Sequence, residues 1–173
     1  EDIDIDLSNL CEAARDEFEK GIYLIKEKPF LYSGYAVYSH VCFGRGLEAE
    51  LKYRTRNLDS FSMNEIKGLG ISFDESNTSN FNLGNLFHIL VNMNQLSNKT
   101  RLQMKGIYNL TKHPQFNFFK NVAYLLKDRR NKSGHYSDEN YKPDLKKDVE
   151  LCLVAKKELI DDGFLKILNS TGT

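Results

Sequence analysis

The sequence predicts an all-α fold, a bundle of four to five helices, on three observations. Apolar residues recur at spacings of three and four along most of the chain. The one region with any alternation of period two, residues 69–73, is too short to carry a sheet. Ser, Asn and Gly crowd one long stretch, residues 57–82, leaving the rest free for continuous helices.

The elements follow in order. Leu7, Cys11, Ala14, Phe18, Ile22 and Ile25 mark one face of a first helix ending near Lys28, before Pro29. A second helix is predicted over Tyr35 to Arg56, with Val37, Val41, Leu47 and Leu51 as its stripe, and with Gly44 and Gly46 where another element comes close. Residues 57–82 read as a long excursion with one short helical turn at Met63 to Lys67. Leu83 to Leu96 is helical again, on Leu83, Leu86, Phe87, Leu90 and Met93, and a connector containing His113-Pro114 follows. The next helix runs from Phe116 to Arg130, and the polar residues 131–144 interrupt it. Pro143-Asp144 then opens a last helix over Leu145 to Leu168, with Asp144 as its cap.

Composition narrows the class. The chain has 173 residues and 40% apolar content, with 24 basic residues against 24 acidic ones, which predicts one folded domain across residues 1–173. The most apolar stretch, around Phe81 to Leu96, is interrupted by Asn85, His88, Asn92 and Asn94, so no membrane span and no membrane partner is predicted. The chain opens on Glu1, which predicts a piece of a longer protein, and the acidic start EDIDIDL is unlike a secretory signal, so a cytoplasmic location is expected. Cys11, Cys42 and Cys152 are odd in number and widely separated; buried, inert thiols are expected, with no zinc site.

The neutral total hides a polarity. Residues 1–20 hold eight acids against Arg15 and Lys20, whereas residues 101–135 hold eight bases against Asp128. A basic segment inside a neutral chain predicts a local anionic partner, or else a solvated helix face. Of the four histidines, His40 and His88 fall in apolar stripes and read as satisfied core or boundary residues, and His113 precedes a proline. His135 differs: it sits in the run Arg129-Arg130-Asn131-Lys132-Ser133-Gly134-His135-Tyr136, where the bases are densest.

On an uninterrupted helix Arg130 and His135 lie about 500° apart, which leaves them roughly 140° from one another. Gly134 favours the left-handed conformation that ends helices, and a break there brings His135 back over the last turn. An imidazole at a helix C-terminus beside arginines titrates near neutrality, and Arg130 offers a planar fork to two phosphate oxygens. That set suits metal-free phosphodiester chemistry.

These residues resemble the HEPN superfamily, whose nuclease members carry Arg, four to six residues, then His. Here the motif reads Arg130-Asn131-x-x-x-His135, and Leu47-Glu48-x-Glu50-Leu51-Lys52 looks like the acidic segment of such domains. The resemblance implies a homodimer with one composite site, in which His135 serves as general acid or base, Arg130 holds the scissile phosphate, and Asn131 orients the imidazole or the phosphate. It implies an endoribonuclease acting on single-stranded RNA with no metal and no cofactor, an effector of a toxin–antitoxin or antiviral system under an inhibitory or activating partner domain. Arg129, Lys132, Lys127 and Tyr136 are expected to contact RNA. A toxin subgroup carries Tyr two residues after the His; here Ser137 occupies that place and Tyr136 follows directly, which puts regulation at that tyrosine in doubt. The competing expectation is a non-catalytic HEPN-like module that binds RNA or a partner protein, or serves dimerisation.

Overall fold

The computed structural model describes residues 4–27, 33–72, 81–134 and 156–172, with residues 27, 33–38 and 129–134 described by backbone alone. The described residues are helical and contain no strand, so the fold is all-α. Its helices are α1 (Glu12–Glu27), α2 (Ser33–Arg54), α3 (Ser60–Gly68), α4 (Leu83–Val91), α5 (Asn98–Gln103), α6 (Lys105–Thr111), α7 (Phe116–Gly134) and α8 (Phe164–Ser170), with a 3₁₀ turn at Met93–Gln95 and a π-helical turn at Lys156–Asp161. No described helix is long and apolar enough to cross a membrane.

α2 is the central element, packing against α1, α4, α6 and α7. Its pairing with α1 is close because Gly46 presents no side chain. A Cβ built there would stand 2.7 Å from the Phe18 ring. Phe18 and Phe43 are fully buried, with centroids 6.1 Å apart. On the other side, Phe119 of α7 stacks on Phe164 of α8 at 4.6 Å and 4°, and Val122, Ala123 and Leu126 continue the buried face of α7.

The structure departs from the sequence reading in six places. Residues 4–11 are not helical, although Leu7 and Leu10 are buried: Asp6 accepts from Ser8 N–H at 2.9 Å, and this local bond competes with a helical turn. The excursion 57–82 contains a nine-residue helix, because the Asp59 carboxylate accepts from Ser62 N–H and Met63 and Ile66 have a core to enter. The helix from Leu83 ends at Val91 and tightens into the 3₁₀ turn, with the Asn92 side chain donating to His88 O. The connector before His113 is two short helices that bury Thr100, Ile107 and Leu110. α7 extends through Asn131, Lys132, Ser133 and Gly134, since its backbone bonds need no apolar side chains and the next proline is Pro143.

The last predicted helix is divided as well. Gly163 adopts φ +93°, a left-handed conformation open to glycine, and this turn lets Phe164, Leu165, Ile167 and Leu168 all reach the core. The residue 145–155 portion of that helix lies outside the described residues.

Candidate functional site

The motif begins on α7, which the core holds through Phe119, Val122, Ala123 and Leu126. Arg129, Arg130, Asn131 and Lys132 are residues of its last described turns, while His135 and Tyr136 lie outside the described residues. Position 130 continues the spacing of Phe119, Ala123 and Leu126, the inward register of the helix. Lys127 is described in full. Its Nζ lies 5.1 Å from the Tyr124 ring centre and 5.3 Å from that of Phe87 on α4, a pair of cation–π contacts in the most basic stretch of the chain.

The other histidines are occupied elsewhere. His40 is buried in α2; His88 Nε2 is 2.9 Å from Leu69 O; His113 Nδ1 accepts from Gln115 N–H at 3.1 Å. Burial pushes the Cys11 and Cys42 thiols up, which suppresses the thiolate and agrees with inert thiols. Cys152 lies outside the described residues. Among the described residues no group of three or more His, Cys, Asp or Glu is placed to hold a metal ion.

The acidic segment of α2 divides into two roles. Leu47 and Leu51 are fully buried, and Glu48, with a side chain 15% exposed, pairs with Lys52 at 3.1 Å. Glu50 instead enters the core and meets Arg54: Arg54 Nε donates to Glu50 Oε1 at 2.9 Å, with side-chain exposures of 4% and 2%. Glu50 Oε2 accepts from Cys11 N–H at 2.8 Å, placing a carboxylate at the start of α1. The Arg54 fork donates to Gly106 O at 3.0 Å, Thr171 Oγ1 at 2.9 Å and Leu168 O at 2.7 Å, the last near the C-terminus of α8. Burial is the main influence lowering the Arg54 pKa, and Glu50 opposes it. The pair therefore ties α1, α2, α6 and the C-terminal segment together and is structural. Sequence reasoning did not single it out, although a Glu four residues before an Arg on one helix is its signal.

A second polar cluster joins α3 to α5. Ser97 Oγ donates to Glu65 Oε2 at 2.7 Å, Thr100 Oγ1 also donates to that oxygen, and Ser62 Oγ, 3.0 Å from Thr100 Oγ1, supplies its own hydrogen to that contact. These bonds, the Thr100 one foremost, hold the Glu65 carboxyl below its usual range. With every hydroxyl engaged around a stabilised carboxylate, the cluster caps α5 and holds no activated nucleophile.

No family model, curated protein or solved structure matches the chain.

Proposed function

We propose that the chain is a metal-independent endoribonuclease of the HEPN type. The observation that carries the reading is the sequence motif Arg130-Asn131-x-x-x-His135, inside the stretch of eight bases against one acid. The all-α fold supports it. In this reading two copies of the chain bring their motifs together around one phosphate. His135 takes the proton of the RNA 2′-hydroxyl, or returns one to the leaving 5′-oxygen, which leaves a 2′,3′-cyclic phosphate and a 5′-hydroxyl. The Arg130 guanidinium spans two phosphate oxygens and stabilises the charge that grows on them, and Asn131 orients the imidazole or the phosphate. Arg129, Lys132, Lys127 and Tyr136 hold the flanking strand. An RNA-cleaving effector of toxin–antitoxin or antiviral type, held in check by a partner, is the biological role this chemistry fits.

The test is cleavage of single-stranded RNA in EDTA by the chain and by His135→Ala. The variant is expected to lose roughly 10²- to 10⁴-fold in rate while its melting temperature stays unchanged. Undiminished cleavage removes His135 from the mechanism. The second reading, a non-catalytic RNA-binding module, is favoured by the ring and cation contacts of Lys127. Its mark is salt-sensitive RNA binding without cyclic-phosphate product.

A further inference from the structure

Tyr124 and Phe87 form a ring pair that the proposed chemistry leaves unused. Their centroids are 5.8 Å apart at an interplanar angle of 54°. Phe87 is packed against the core, whereas Tyr124 is 50% exposed, and Lys127 stands within 5.3 Å of both ring centres. An exposed ring backed by a second ring and a cation is already ordered, so stacking on it costs little side-chain entropy.

Exposure beside a cation is not sufficient by itself. Phe61 on α3 is 48% exposed and has Lys99 Nζ at 4.7 Å, yet it lies outside the basic stretch. Position sets Tyr124 apart. Residues 121, 124 and 127 fall on one i+3 row of α7, each step rising about 4.5 Å and turning about 60° around the axis, so that position 130, roughly 9 Å along the axis from position 124, stands about 120° around the helix from it. Asn121, first in that row, is exposed. Aromatic faces interleaved with cations are what single-stranded nucleic acid binds, because every base has a π-face and every linkage a charge.

We propose that Tyr124, backed by Phe87, is a stacking platform for one nucleobase of a single-stranded substrate, with Lys127 on the adjoining phosphate. The inference rests on the RNA reading above and adds a base-binding position on α7.

The probe is a fluorescein-labelled single-stranded oligonucleotide with 2′-deoxy sugars, which offers bases and phosphates but no internal nucleophile. Its binding to the whole chain is followed by anisotropy across a salt series, with melting temperatures as a check on folding. Tyr124→Leu, which keeps apolar bulk without a π-face, is expected to weaken binding roughly 5- to 150-fold at an unchanged salt slope. Tyr124→Phe retains the affinity, Lys127→Gln lowers the slope by about 0.7, and Phe61→Ala changes neither. Wild-type affinity in a folded Tyr124→Leu overturns the proposal, as does an equal loss in Phe61→Ala or no binding by the wild-type chain at low salt. The two readings separate cleanly. A Tyr124-dependent affinity without cleavage of the all-ribose strand keeps the platform and removes the nuclease. Cleavage with an affinity indifferent to Tyr124 removes the platform and keeps the nuclease.

Discussion

Replacing Arg54 with Ala tests the central claim about how the bundle is held. The guanidinium donates four hydrogen bonds, to Glu50 Oε1, Gly106 O, Thr171 Oγ1 and Leu168 O, all between 2.7 and 3.0 Å. Its removal leaves the Glu50 carboxylate, at 2% side-chain exposure, with the Cys11 N–H and no countercharge. Breaking a buried pair in this way costs about 3–5 kcal/mol. The Gly106 and Leu168 carbonyls also lose a donor, which places the expected cost at the upper end. For a chain of this size that corresponds to a fall in melting temperature of roughly 6–20 °C. The assay is thermal unfolding by circular dichroism together with the urea midpoint. The double variant Glu50→Leu/Arg54→Met recovers part of the loss, because no unpaired charge remains, though the Cys11 N–H loses its acceptor and the two carbonyls still lack the Arg54 donor. A loss below about 1 kcal/mol in Arg54→Ala refutes the reasoning, since it means that water replaces the guanidinium at no cost.

Three further outcomes follow from the same packing. Gly46→Ala puts a methyl group 2.7 Å from the Phe18 ring and is expected to cost about 1–3 kcal/mol by urea denaturation; an unchanged midpoint shows that α1 and α2 separate freely. Gly163→Ala forces φ +93° on a residue with a Cβ and is expected to cost about 1–2 kcal/mol, while Lys166→Ala, at an exposed site three residues on, is near neutral; equal effects discount the backbone argument. Glu65 and Asp59 both titrate below their usual range in the fold, Glu65 through Thr100 and Ser97, Asp59 through Ser62 N–H and Gln103. Carboxylates with depressed folded pKa values stabilise fully above the unfolded values near about 4 and lose that contribution as pH falls through the folded ones. Melting temperature is therefore expected to fall below about pH 4, less steeply in Glu65→Gln, and an identical acid limb in that variant argues against the linkage.

The sequence by itself determined the helical class and most of the core. Phe18, Leu47, Leu51, Leu86, Leu90, Phe119 and Leu126 are buried where a period of 3.6 residues puts them. It also carries the motif Arg130-Asn131-x-x-x-His135, because that signal is one of residue type and spacing. What it left illegible depends on partners distant in the chain. Short helices such as α3, α5 and α6 are too brief to hold together alone and form because Met63, Ile66, Thr100, Ile107 and Leu110 have a core to enter. Only the tertiary structure decided that Glu50 and Arg54 are fully enclosed while Glu48 and Lys52 pair nearer the surface, and that Phe87 comes to stand behind Tyr124. Periodicity gives the face of one helix, but the partners of a buried charge or an exposed ring come from chain segments tens of residues away, and packing alone brings those together.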